Sequence, residues 1–172
     1  MNTKIGILGL TVYFLSFVVF VLLVGIYWSQ YHKTPEQPIN FSHKIHVSKV
    51  QLECTHCHTT VEKSEFAGIP SVQTCMTCHE SVKTESPEIQ KLTKYWKEKR
   101  PVPWKRIYRL PVRNYVYFSH KRHIKADLEC SNCHGNVEVM PVIKRQREME
   151  MGWCVSCHEA KKAPLDCATC HK

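Results

Sequence analysis

Apolar positions follow two different patterns along this chain. From Ile5 to Trp28 the sequence runs 24 residues without a charge. As a helix rising about 1.5 Å per residue, that run spans roughly 36 Å, enough to cross a hydrocarbon core of about 30 Å. The second pattern lies between residues 86 and 100. Ser86-Pro87-Glu88 is an N-cap followed by proline at the first helical position, and Ile89, Leu92, Tyr95 and Trp96 then recur at helical spacing. An amphipathic helix ending near Arg100 is expected. Pro101, Pro103 and Pro111 make the next stretch extended, with Trp104, Ile107, Tyr108 and Leu110 interleaved among Lys105, Arg106 and Arg109. That stretch either covers a bound group or docks a partner, or it is a linker packed on its own domain.

The first run exceeds the usual apolar core of a cleavable signal, about 7 to 15 residues, and Gly25 to Gln30 makes a poor cleavage site. Tyr27, Trp28 and Tyr31 are placed as an interfacial aromatic belt. Residues 1–33 are therefore expected to form an uncleaved membrane anchor, with His32 at the interface. Lys4 and the terminal amine favour an N-terminus on the cytoplasmic side.

All ten cysteines fall into five copies of C-x-x-C-H: Cys54/Cys57/His58, Cys75/Cys78/His79, Cys130/Cys133/His134, Cys154/Cys157/His158 and Cys167/Cys170/His171. This is the attachment signal for c-type haem. Cysteines three apart share one face of a helical turn, where both sulfurs can form thioethers with the haem vinyl groups. The following histidine then faces the iron, so His58, His79, His134, His158 and His171 are the expected proximal ligands. Zinc ribbons tolerate some of these spacings, but zinc leaves the fifth pair unmatched and gives no reason for a histidine after every pair. A framework of five disulfides ignores the histidines equally.

Residues 34–172 must serve five haems with too little protein for an ordinary apolar core. The expected fold is mainly α with much irregular loop: one transmembrane helix, then a small multihaem domain whose core is the stacked macrocycles. Phe41-Ser42-His43-Lys44-Ile45-His46 before Leu52-Glu53-Cys54 recurs as Phe118-Ser119-His120-Lys121-Arg122-His123 before Leu128-Glu129-Cys130. The domain thus divides into two related halves, about 38–80 and 115–172, joined by the helix and the proline-rich segment. The matching flanks argue against reading the paired histidines as ordinary surface residues.

A formal charge of +9 would ordinarily point to nucleic acid or anionic lipid. Five haems bring ten propionates, which offset it, and the basic residues are scattered among the motifs, so no nucleic-acid partner is expected. Electron transfer favours six-coordinate iron, whereas haem catalysis needs an open position. Six histidines remain for the distal side: His32, His43, His46, His56, His120 and His123.

The chain resembles the cytochrome c7 and class III multihaem cytochromes, whose F-x-H-x-x-H segment supplies distal imidazoles. That resemblance implies His43 opposite His58 and His120 opposite His134, with His46 and His123 serving the haems of His79 and His158. The family's histidine for the last haem is missing here. Met151, in Met149-Glu150-Met151-Gly152-Trp153, is the candidate ligand opposite His171, with Met149, Met140 and the spare histidines as alternatives. A methionine ligand would make that centre the most oxidising. His56, inside a motif, is not expected to ligate iron.

A closer resemblance is carried by the anchor, Ala67-Gly68-Ile69-Pro70-Ser71, Pro101-Val102-Pro103-Trp104, Tyr117-Phe118 and Met151-Gly152-Trp153-Cys154. These are similar to the pentahaem cytochrome subunit of bacterial alternative complex III. The resemblance implies an electron carrier with no catalytic residues of its own. It would sit in the bacterial cytoplasmic membrane beside an iron-sulfur subunit, polytopic quinol-binding subunits and a monohaem cytochrome. Its haem domain would lie on the periplasmic side, where haem c is attached, and relay electrons from quinol toward the monohaem cytochrome or a soluble acceptor. A stand-alone multihaem quinol dehydrogenase is the alternative. A multihaem reductase is a further one, though no C-x-x-C-K occurs.

Overall fold

The computed structural model describes residues 3–31, 33–108, 110 and 115–171, with the side chains of residues 3–5 and 31 outside that description. His32, Arg109, Pro111 and the side chains of Lys4 and Tyr31 therefore lie outside the described residues. The chain divides into two units, Met1–Thr34 and Pro35–Lys172. Among the described residues every regular element is helical and no strand occurs, so the architecture is the mainly α one expected.

The first unit is helix α1, Thr3–Tyr31. Its stretch Gly6–Gln30 contains an 18-residue window of mean hydropathy 2.8, none of it buried by other protein, and is long and apolar enough to cross a membrane. Its few polar groups are satisfied within the helix, Thr11 Oγ1 bonding Ile7 O at 2.8 Å and Ser16 Oγ bonding Tyr13 O at 2.8 Å.

The second unit strings short helices along irregular chain: α2 (Cys54–Cys57), α3 (Val72–His79), α4 (Pro87–Lys97), α5 (His120–Ile124), α6 (Cys130–His134), α7 (Met151–Lys161) and α8 (Cys167–Cys170), with a π-helical turn at Lys44–Lys49. Among the described residues its buried apolar side chains cluster at Ile39, Met76, Leu92 and Val102, with Val72, Ile89, Tyr95 and Trp104 packed around them. No large side chain is fully buried and no polar or charged residue is buried among those described. So small a core is far below what orders a domain of this length.

Helix α4 ends at Lys97, short of the expected Arg100. Lys99 takes the left-handed region (φ 50°), and the Arg100 N–H turns back to Tyr95 O at 3.0 Å, closing the last turn. Ser86 does occupy the N-cap, but its hydroxyl makes no capping bond. At the same end, Glu88 accepts from Asn40 N–H at 2.6 Å and pairs with Lys91 at 2.7 Å. The proline-rich stretch packs on its own domain at its start. Val102 joins the core, Trp104 packs against it, and the Gln37 amide clamps both Lys105 O and Lys105 N–H at 2.9 Å.

Candidate haem sites

Each C-x-x-C-H copy lies on a helical turn of α2, α3, α6, α7 or α8. The residue before the turn is acidic in four of them and a serine in α3: Glu53, Glu129, Glu150 and Asp166, with Ser71 capping Thr74 N–H at 3.3 Å. At α6 the cap is reciprocal, since Asn132 Oδ1 accepts from Glu129 N–H at 3.0 Å while the Glu129 side chain accepts from the Asn132 backbone. In α2 and α8 the first cysteine's carbonyl accepts from the motif histidine's N–H, at 2.9 Å in both. The turn therefore fixes both cysteines and the histidine backbone as one unit.

The histidine side chains share one habit. Seven of them donate from Nδ1 to a backbone carbonyl: His58 to Gly68 at 2.7 Å, His79 to Val82 at 3.0 Å, His158 to Pro164 at 2.7 Å and His171 to Tyr115 at 2.9 Å. His46 and His123 reach Ser42 and Ser119, at 2.9 and 2.8 Å, and His120 reaches Glu65 at 2.9 Å. Donation from Nδ1 keeps a proton on that nitrogen and leaves Nε2 as the one available to a metal. His134 is set differently, with the Tyr108 ring edge-on at 4.7 Å. Burial, then the neighbouring His120 and His58, push the His134 pKa down. The His43 pKa falls to about 4, through burial first and the nearby His58 and His46 next. Both imidazoles are thus held neutral.

These rings come together in facing pairs. His46 and His79 have ring centres 6.1 Å apart, His120 and His134 6.4 Å, and His123 and His158 6.1 Å. A metal–imidazole bond is about 2 Å and the ring centre lies about 1.1 Å behind the bonding nitrogen, so one ion between two imidazoles sets their centres roughly 6.2 Å apart. The spacings fit one iron held between the members of each pair. His43 lies close enough to His58 to lower its own pKa.

The fifth site is less complete. Met151 opens α7 with 68% of its surface exposed, and Met149 and Met140 are half-buried. His56 is exposed within its motif.

None of the ten cysteines is in a disulfide. Burial is the first cause that pushes Cys57, Cys75, Cys130, Cys133 and Cys154 up, and neighbouring thiols add to it: Cys57 acts on Cys75, Cys54 on Cys130, Cys157 and Cys154 on Cys133, and Cys170 on Cys154. Such sites disfavour the thiolate that zinc needs and suit a neutral thioether. Among the described residues no three His, Cys, Asp or Glu side chains are grouped to hold an ion by themselves. The donors are arranged as facing pairs, which leave room for a planar group between them.

Cys78 is the exception among the second cysteines of the five motifs. The second cysteine of the motif is half-buried in the other four copies, at Cys57, Cys133, Cys157 and Cys170, but Cys78 is exposed. Its surroundings give the reason. The core side of α3 is taken by Met76 and Cys75, which pack on α4 and the proline-rich stretch, and the side-chain neighbour of Cys78 Sγ is the exposed Thr77 hydroxyl at 3.9 Å. The chain beyond turns back on the Cys78 carbonyl, which accepts from Val82 N–H at 2.9 Å and Ser81 N–H at 3.2 Å. Cys54, Cys130 and Cys167, each the first of its pair, are exposed as well.

Space for a planar group is visible beside His79, where a cleft of about 670 Å³ is lined by Met76, Thr93, Lys94, Trp96 and Lys97 among others. Helix α4 thus walls the second motif, with Lys94 and Lys97 available to carboxylates at its rim. The carbonyl partners and the Tyr108 contact escape sequence reasoning because a carbonyl has no residue signature. Gly68 alone leaves a trace: it sits at φ 76°, and a Cβ there would meet Thr60 Oγ1 at 2.7 Å.

The family described as cytochrome c7 and related cytochrome c matches residues 39–95 and again 116–172. The chain is also 37% identical over 118 residues to the multiheme cytochrome c subunit of menaquinone reductase from Nitratidesulfovibrio vulgaris, covering 66% of this chain and 54% of that one. The chain therefore spans about half the length of the curated relative it matches.

Proposed function

The chain belongs to the family of cytochrome c7 and related cytochromes c, and from that premise we propose that it is the electron-relay subunit of a membrane quinone oxidoreductase, carrying five haems c. Thioethers form at Cys54/Cys57, Cys75/Cys78, Cys130/Cys133, Cys154/Cys157 and Cys167/Cys170. The axial pairs are His58 with His43, His79 with His46, His134 with His120, and His158 with His123. His171 is paired with Met151. Cys154, on the same face of α7 as Met151, is near enough to Cys170 for that thiol to push its pKa up, which supports that last pairing. Haem c supplies reversible one-electron chemistry at iron. The protein's part is to aim the axial imidazoles, through the Nδ1 bonds to Gly68, Val82, Ser42, Ser119, Glu65 and Pro164, which keep the ring proton on the outer nitrogen and leave Nε2 for the metal. The observation that carries this reading is the spacing of 6.1 to 6.4 Å between facing imidazoles. Its test is the mass of the denatured chain: five covalent haems support it, and a haem-free chain overturns it.

Helix α1 is the anchor, with the N-terminus cytoplasmic and residues 34–172 on the periplasmic side. The assembly resembles alternative complex III, in which an iron-sulfur subunit, polytopic quinol-binding subunits and a monohaem cytochrome accompany the pentahaem chain. Here electrons leave quinol through the iron-sulfur clusters and pass by this chain to a monohaem or soluble acceptor. No catalytic residue is assigned to this chain. The name of the Nitratidesulfovibrio vulgaris relative favours a second reading, in which electrons run toward menaquinone. Isolation in mild detergent separates the readings. Quinol oxidation by a multi-subunit complex supports the first and menaquinone reduction the second, while quinol oxidation by the chain alone marks a solitary dehydrogenase.

A further inference from the structure

We infer that the five attachment sites form one unbranched row that does not follow the chain: second motif, first, third, fourth, fifth. The order rests on the haem reading above and on four sets of contacts.

Two of these sets come from the histidine pairs. His43 and His46 are three residues apart on one short helical segment, so their side chains lie on adjacent turns with Cβ atoms about 5–6 Å apart. His46 faces the second motif, its ring centre 6.1 Å from that of His79, and the approach to the first motif is seated on the same segment, Leu52 N–H bonding His46 O at 3.0 Å. His120 and His123 join the third and fourth motifs in the same way, facing His134 at 6.4 Å and His158 at 6.1 Å. Each histidine pair is thus a staple between two sites.

The joint between the staples is reciprocal. The backbone N–H and Nδ1 of His120 both bond Glu65 O, at 3.1 and 2.9 Å, and Lys121 N–H bonds Ser64 O at 3.1 Å. Residues 64–65 belong to the loop after the first motif, so a ligand of the third site is seated on the first site's loop. In return, Lys44 N–H bonds Met140 O at 3.0 Å and Ser48 Oγ bonds Glu138 O at 2.5 Å, on the segment after the third motif. Ser64 and Met140 each stand six residues past their motif's histidine. This crossing brings the first and third motifs together, and the Cys54 and Cys130 side chains lie within interaction distance.

The fifth motif closes the row. Tyr117 N–H bonds Cys170 O at 2.8 Å and His171 Nδ1 bonds Tyr115 O at 2.9 Å, which ties this motif to the strap leading into His120 and His123. Met151, the ligand proposed for this site, opens α7 three residues before Cys154 and shares its face, which puts the fifth motif on the fourth site's side, where Cys154 is near enough to Cys170 to be influenced by it. The second and fifth motifs are therefore the ends, and the joint between first and third is the link that either end needs to reach the other.

Iron positions in the intact, haem-loaded complex test the order, by electron cryo-microscopy or by diffraction at the iron edge, with each iron assigned through its own C-x-x-C-H. The expected nearest neighbours are the irons of His79 and His58, His58 and His134, His134 and His158, and His158 and His171. A row in chain order, with the His58 iron at an end and the His79 and His134 irons adjacent, overturns the inference while leaving the haem reading intact. Motifs without iron overturn both.

Discussion

The two histidine-pair segments are near copies of one another that differ at a single ligand. In each, the phenylalanine stands edge-on to the first histidine at 4.9 Å and stacks on the second, Phe41 on His46 at 4.3 Å and Phe118 on His123 at 4.4 Å. Each also passes through a left-handed residue, Gln51 (φ 62°) or Asp127 (φ 55°), and closes with the next N–H bonded to the second histidine's carbonyl. The first copy carries one more residue between these points. A π-helical turn at Lys44–Lys49 absorbs it, so that Leu52 N–H still reaches His46 O at 3.0 Å, as Leu128 N–H reaches His123 O at 3.3 Å.

The outer nitrogen of the first histidine is what differs. His120 Nδ1 donates to Glu65 O, whereas His43 Nδ1 is buried without a hydrogen-bond partner. An axial imidazole that donates from its outer nitrogen is the more basic ligand and stabilises ferric iron. Duplication thus preserved the staple and let the surroundings of its two leading ligands diverge.

The largest effect is expected from removing a staple's anchorage. Cys54→Ala/Cys57→Ala and Cys130→Ala/Cys133→Ala should each lower the haem count by at least one. Each should also expose both halves to limited proteolysis, because the halves dock on one another's loops and the protein core is small. Proteolysis confined to the mutated half would break the picture of reciprocal docking.

Next come the ligands themselves. His43→Ala and His120→Ala should each open one coordination position, visible as one high-spin ferric signal in the oxidised protein. A spectrum that stays wholly low-spin in either variant removes that residue from the ligand set.

A smaller effect sharpens the contrast between the copies. Each centre combines one imidazole bonded from Nδ1 to a carbonyl, His58 in the first and His120 in the third, with one that is not so bonded, so the two potentials should differ by less than the roughly 60 mV of a tenfold ferric preference in a one-electron couple. Potentiometry of His43→Met beside His120→Met assigns the two centres; the His120 variant, which also loses a carbonyl-bonded imidazole, should rise further, and equal rises would mean that the Nδ1 bond has no influence.

Gly68→Ala should cost about 1 kcal/mol or somewhat more, since the residue sits at φ 76° and its new Cβ crowds Thr60 Oγ1. The thermal midpoint should fall while five haems remain attached. Smallest of all is Lys91→Ala, which removes an exposed pair with Glu88 worth about 0.5 kcal/mol or less. It serves as a control in the same melt.

The attachment motifs and the duplicated histidines were legible because chemistry dictates their residue types and spacing. The exposure of Cys78 was not, since the motif fixes a cysteine's place on its own turn and says nothing of what the turn packs against. Helix α4 was legible from Ile89, Leu92, Tyr95 and Trp96, though its end was not, since Lys99 takes a left-handed conformation that usually announces itself as glycine. The π-turn left only a one-residue mismatch between the copies. Carbonyl partners such as Glu65 O and Tyr115 O are backbone atoms brought up from more than 50 residues away, so no residue type marks them. The role of the proline-rich segment stood open on sequence because Val102 and Trp104 are as suited to a partner as to their own core, and their packing with Met76 and Leu92 places the start of the segment on its own domain.

The most direct measurement is near-infrared magnetic circular dichroism of the fully oxidised holoprotein, calibrated by its covalent haem content, because the charge-transfer band distinguishes bis-histidine from histidine–methionine iron. The account expects five haems, four bis-histidine and one histidine–methionine. Iron with one imidazole and an open face at the His79, His134 or His158 sites would contradict the pairing on which it rests.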